Sequence, residues 1–218
     1  MKKVVLINSI PFFLMTIYAI IRYNFAQEVG FDKFFFFVIN KSIAYTALFS
    51  VAFSALLPNA KSIGIDVNSE LIKEKKNFGS FGFYLALVHI FMTIRNINPD
   101  VYPKFFDDTA NITLYGTLAI IFGILTILVL LFLKIISQKE VQEKIEMNNF
   151  RKYLKTVYLA LFFILMHNYF IGGKNWLFVE KWAWYMPPIT LISAISIIFV
   201  FYVKAKSIFI NKQYKNNL

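Results

Sequence analysis

Long apolar runs alternate with short polar segments along the whole chain. A helix needs about 20 mostly apolar residues to cross the hydrocarbon core of a bilayer. Six segments meet or approach this length, and we predict that each is a transmembrane helix; they cover residues 4–21, 42–57, 78–95, 112–133, 154–171 and 183–203. The pattern predicts an all-α integral membrane protein, a six-helix bundle that forms a single transmembrane domain over residues 1–218.

Prolines and one polar segment add detail to the predicted helices. Pro11 falls inside the first span and predicts a kink, because proline removes one helical hydrogen bond. Pro187 and Pro188 fall in the first turns of the sixth span, where a missing N–H costs little. The segment 137–149 is polar and alternates in charge, so we predict a short solvated helix between the fourth and fifth spans.

Composition and charge support a membrane protein. Hydrophobic residues make up 58% of the chain and charged residues 16%, and the mean hydropathy is +0.60. A soluble domain carries roughly 25% charged residues. We therefore expect the basic residues behind the net charge of +11 to lie at the membrane surface, and we expect no nucleic-acid partner. The chain has no cysteine, which excludes disulfides and thiolate ligands, and it has no glycine-rich phosphate loop after a predicted strand.

The distribution of lysine and arginine predicts the orientation. With the N-terminus in the cytoplasm, 16 of the 23 basic residues fall on the inner side, and the acidic residues divide evenly between the two sides. Basic residues are enriched on the cytoplasmic side of membrane proteins. We therefore predict a multi-pass protein of the cell (inner, cytoplasmic) membrane, in contact with its lipids, with both termini in the cytoplasm.

His89 and His167 are the two histidines of the chain, and both fall inside predicted spans. His89 lies about six residues, and His167 about four, before the outer ends of the third and fifth spans. Ionisable side chains at membrane depth are costly and indicate function. Because these spans run in the same direction, the two imidazoles lie at nearly the same depth, where they could bind one heme iron from both sides.

Three readings of this pair are open at this point. The matched depth favours one b-type heme with His89 and His167 as its axial ligands. The alternative is that both histidines hydrogen-bond neighbouring helices in a non-heme bundle, such as a small transporter component or an assembly factor. Zinc is disfavoured, because no carboxylate or thiol is at hand to complete its site.

Small and apolar residues accompany both histidines. On the third span they share the helix face of His89, and on the fifth span they lie one or two turns before His167. Small side chains there could leave room for a porphyrin edge, although such stripes also serve helix packing. The residues predicted to pack against the heme are Gly79, Gly82, Ala86, Ala160, Phe163 and Ile164.

Three stretches resemble a known family. Residues 75–89 read KKNFGSFGFYLALVH, residues 150–160 read FRKYLKTVYLA and lead to His167, and residues 55–58 read ALLP. Together they resemble the ferric-reductase-like transmembrane family, and within it the heme-binding membrane subunits of bacterial periplasmic methionine-sulfoxide reductase systems. The resemblance covers residues 40–173, which we take as the heme-binding core. Leu154 stands where relatives often carry a further histidine, so a second heme has no ligand there.

The resemblance and the histidines together predict an electron carrier. Electrons would pass from quinol or reduced flavin to an acceptor on the outer side, such as an exported or periplasmic-side reductase. The chain would then be the electron-transfer subunit of an oxidoreductase rather than a complete enzyme, with heme b and either FMN or quinone as cofactors. The basic residues predicted to contact a flavin or a flavoprotein donor at the inner ends of the heme helices are Lys75, Lys76, Arg151, Lys152 and Lys155.

Overall fold

The computed structural model describes residues 1–216, so residues 217 and 218 of the predicted domain lie outside the described residues. About 80% of the chain is helical, and no strand occurs in the described range. In that range six helices are long and apolar enough to cross a membrane, which confirms the predicted all-α class and the number of spans. The main α-helices of these six spans are α1 (Lys2–Ala19), α2 (Asn40–Leu56), α3 (Lys75–Ile94), α4 (Leu114–Ile136), α5 (Val157–Gly172) and α6 (Ile189–Asn216). Shorter α-helices cover Ser69–Lys73, Lys139–Gln142 and Met147–Leu154.

Several helix boundaries differ from the predicted ones. α1 continues through Pro11, and π-helical turns at Ile20–Phe25 follow its last α-helical residue. α6 begins directly after Pro188, whose carbonyl accepts from the N–H groups of Leu191 and Ile192. The prediction of one short helix over 137–149 is wrong: the segment holds a single turn at Lys139–Gln142, and Met147–Leu154 forms a separate helix.

The helices run alternately up and down, so their ends form two groups. At one end, the start of α1, the segment after α2 and the start of α3 meet where Val4, Leu57 and Phe78 pack together. We call this the basic end, since the lysines at the start of α3 and just before α5 lie there. At the opposite end, residues of α1 pack against Val38 and Ile189.

One central core joins five of the helices. Its fully buried members are mostly small or branched, and such side chains let membrane helices approach closely. They come from α2 to α6 and include Val51, Ala52, Phe83, Leu130, Ala160, Leu161, Ile197 and Val200. Large apolar side chains remain exposed on the outside of the bundle, as expected for a surface that faces lipid, for example Leu14, Phe91, Leu128 and Ile198.

The packing of α2 to α5 positions the two histidines. α3 packs mainly on α2, and α5 packs mainly on α4. Smaller contacts join α2 to α5 and α3 to α4, which closes a four-helix arrangement. α3 and α5 therefore lie opposite each other across its centre, and each of them carries one histidine.

Candidate functional site

The two histidines lie at matched positions on opposite helices. His89 is five residues before Ile94, the last residue of α3, and His167 is five residues before Gly172, the last residue of α5. At about 1.5 Å per residue, each is roughly 7–8 Å from its helix end. Both side chains are half-buried.

Asn40 at the start of α2 holds the His89 ring. His89 Nδ1 lies 2.7 Å from Asn40 Oδ1. The Asn40 amide nitrogen donates to Thr93 Oγ1 at 3.2 Å and to the Tyr102 hydroxyl at 3.4 Å, which orients the amide so that its oxygen faces the imidazole. An amide oxygen only accepts, so His89 donates its Nδ1–H.

Thr93 and Tyr102 complete this network. The Thr93 hydroxyl donates to the His89 carbonyl at 2.9 Å, so it accepts from Asn40 and returns a bond to α3. Tyr102 lies outside the spans, in the loop after α3, and burial raises the pKa of its phenol. The phenol therefore stays protonated at neutral pH, and the network around His89 carries no formal charge.

The backbone of α4 holds the His167 ring. His167 Nδ1 lies 2.7 Å from the Ala119 carbonyl oxygen, and Ala119 is fully buried. A carbonyl only accepts a hydrogen bond, so His167 donates its Nδ1–H. Gly123 is one turn further along α4, and a Cβ there would lie 3.3 Å from the same nitrogen. The absence of a side chain at Gly123 therefore lets the imidazole pack directly against the helix.

Both rings consequently have the same tautomer. With the proton on Nδ1, the lone pair of each neutral imidazole is on Nε2. Among the described residues, the hydrogen bonds of both histidines use Nδ1 alone. A ligating histidine usually donates its other N–H to a carbonyl or carboxylate, which orients the ring. The donor set therefore suits an iron held between His89 Nε2 and His167 Nε2.

The structure brings three of the six predicted heme-packing residues together in the central core. Ala160 is fully buried there, and Ala86 and Ile164 pack against the same cluster from opposite helices. Phe163 lies elsewhere: its ring centroid is 6.0 Å from that of Phe122 on α4.

The two predicted glycines have different surroundings. A Cβ at Gly82 would lie 2.7 Å from Val51 Cγ2 and 2.8 Å from the Ala47 carbonyl oxygen. Gly82 therefore lets α3 pack closely on α2, and its predicted contact with a heme stays a prediction. A Cβ at Gly79 would have more room, since its nearest neighbour, Ser54 Oγ, would lie 3.6 Å away.

The predicted basic cluster is brought together only in part. A cavity of about 350 Å³ at the basic end is lined by Lys75, Lys76 and Lys155. The side chains of Arg151 and Lys152 are exposed, and neither residue lines the cavity. Three of the five residues therefore line one cavity, and the contact of all five with a flavin or a donor stays a prediction.

Sequence reasoning missed several residues that the structure places at the two sites. Lys134 and Lys204 also line the cavity, and both could have been found, because they end spans on the predicted inner side. Asn40 carries a weaker signal, as a polar residue at the start of an apolar run. Ala119 carries none, because it acts through its backbone carbonyl.

Comparison of the chain with models of known protein families gives no match, and comparison with curated proteins gives none either. We therefore infer the function from the two histidines and their surroundings.

Proposed function

We propose that the protein is a b-type heme electron-transfer protein of the membrane. The observation that carries this proposal is the pair of imidazoles on facing helices, at one depth, with both Nδ1 atoms bonded and both Nε2 lone pairs available. His89 and His167 would hold the iron. Bound heme supplies a one-electron carrier, while the protein determines its position and access.

The surrounding residues hold the ligands in place. Asn40 and the Ala119 carbonyl orient the two rings, and such acceptors also raise the basicity of the ligating nitrogen. Ala86, Ala160 and Ile164 form an apolar environment on the side of the central core. An apolar environment keeps water away from a redox centre and tunes its potential.

The donor and the acceptor follow from the position of the site. His89 and His167 lie toward the end opposite the basic end, so the acceptor is on that side. The resemblance to the ferric-reductase-like family supports an exported reductase as the acceptor. The donor is quinol diffusing within the bilayer, or a reduced flavin at the basic end, where Lys75, Lys76 and Lys155 line the cavity.

A second function has its own supporting observation. Each histidine bonds a neighbouring helix through Nδ1, as a residue that only fastens helices together would do. In that case the protein is a non-heme helical bundle, such as a small transporter component or an assembly factor. The two functions differ at Nε2, which a packing histidine leaves without a ligand.

Heme content of the purified chain tests the proposal. Protein produced in heme-replete cells should carry about one heme per chain and give the sharp reduced bands of a bis-histidine b-type cytochrome. Adding a quinol analogue or reduced FMN to the oxidised protein then identifies the donor by the rate of heme reduction. A colourless protein that is folded and monodisperse would contradict the proposal and favour the non-heme bundle.

We also propose that both termini are cytoplasmic. The structure gathers the lysine-rich helix ends at one end of the bundle, and basic ends favour the cytoplasmic side. A reporter fused after Leu218 should therefore read cytoplasmic, and one inserted in residues 96–110 should read external. An external signal from the C-terminal fusion would contradict this orientation.

A further inference from the structure

The cavity at the basic end has a charge that electron transfer from quinol does not require. It lies among α2 to α6 and measures about 350 Å³. Five lysines line it, and none of its lining residues in the described chain is acidic; the lysines are Lys75, Lys76, Lys134, Lys155 and Lys204. The ion pairs found among residues 1–216 join Lys3 to Glu70 and Lys139 to Glu143, so they involve none of the five.

Neutral groups hold two of these lysines. Lys134 Nζ donates to Ser80 Oγ at 3.1 Å, and Lys204 Nζ donates to Asn59 Oδ1 at 3.3 Å. The Asn59 amide in turn donates to the Tyr158 hydroxyl at 3.1 Å. These bonds fix the positions of both ammonium groups and leave their charges uncompensated.

Apolar side chains also line the cavity. Val51, Leu130, Leu133 and Val157 line it from three helices. A ligand that suits both parts has an anionic group for the lysines and an apolar body for the walls. Basic pockets between membrane helices bind anionic lipid headgroups in this way.

We propose that this cavity binds an anionic phospholipid. The phosphodiester lies among the five lysines, and an acyl chain extends along the apolar walls. Flavin mononucleotide (FMN) has the same combination of phosphate and apolar body, so the test has to distinguish a phospholipid from FMN. The proposal does not depend on heme, and it leaves the exposed Arg151 and Lys152 as contacts for a soluble donor.

The test compares two double variants with the same change in charge. Lys134→Gln with Lys204→Gln removes two cavity lysines, whereas Lys144→Gln with Lys206→Gln removes two exposed lysines at the same end. Delipidated protein is titrated with phosphatidylglycerol, phosphatidylcholine, FMN and inorganic phosphate, and native mass spectrometry follows binding. A lysine beside an anionic headgroup changes the binding constant about fivefold, so the cavity variant should bind phosphatidylglycerol roughly thirtyfold more weakly.

The remaining results distinguish a bound phospholipid from bound FMN. The wild type and the Lys144/Lys206 variant should bind phosphatidylglycerol alike, and both should prefer it to phosphatidylcholine. Equal binding by all three proteins, or no preference for the anionic lipid, would overturn the proposal. Lysine-dependent binding of FMN without binding of phosphatidylglycerol would also overturn it and assign the cavity to a nucleotide. If the cavity variant does not fold, Lys75→Gln with Lys76→Gln replaces it, because both of these side chains are exposed.

Discussion

Alanine in place of either His89 or His167 is expected to abolish heme binding. Each variant would lose one of the two proposed ligands, and the other described polar groups beside the rings are bonded to each other. Heme content should fall from about one per chain to near zero, as measured by the reduced spectrum of purified protein. Leu154→Ala is the control: Leu154 lies at the basic end and has no ligand atom, so its heme content should stay normal.

A graded variant distinguishes ligation from packing. Asn40→Leu keeps both imidazoles but removes the acceptor of the His89 Nδ1–H. Loss of such an orienting partner weakens metal binding about 10–100-fold, so heme should be retained at high heme concentration and lost on dilution, with a shifted midpoint potential. Full heme content in both histidine variants would contradict the proposal that His89 and His167 bind the heme iron. If the wild type binds no heme and both histidine variants have a lower thermal stability than the wild type, a packing role is supported instead.

Gly82→Ala is expected to destabilise the bundle strongly, whereas Gly79→Ala is not. The two glycines lie three residues apart on α3, and the substitution is the same. The new methyl at residue 82 meets the Ala47 carbonyl and Val51, so α2 and α3 must separate, and overpacking of this kind costs about 1–3 kcal/mol. At residue 79 the nearest atom is 3.6 Å away, so the higher helix propensity of alanine adds up to about 1 kcal/mol.

Thermal unfolding in detergent measures this difference. The Gly82 variant should unfold at a lower temperature than the wild type, and the Gly79 variant at the same or a higher one. The order should hold with and without heme, because the contact of Gly82 with α2 involves neither histidine. Equal unfolding temperatures for the two variants would show that α3 does not pack on α2 through Gly82.

The sequence by itself determined the number of the candidate membrane-spanning helices. The hydrocarbon core demands about 20 continuous apolar residues that satisfy their own backbone hydrogen bonds, and this requirement is local in sequence. The distance of each histidine from its helix end was also accessible, because a fixed rise per residue converts a count along α3 or α5 into a distance. Both imidazoles accordingly lie at matched positions near the same end of their helices.

Only the tertiary structure decided which side of each helix meets which neighbour. Lipid and protein core both accept apolar side chains, so a membrane helix is apolar on nearly every side and its pattern identifies no buried face. Gly82 therefore proved to be a contact with α2, although its spacing from His89 also suited a heme slot. The partners of the imidazoles, Asn40 and Ala119, are separated from His89 and His167 by 49 and 48 residues. Contacts over such distances depend on the rotation and pairing of whole helices, which hydrophobic periodicity does not encode.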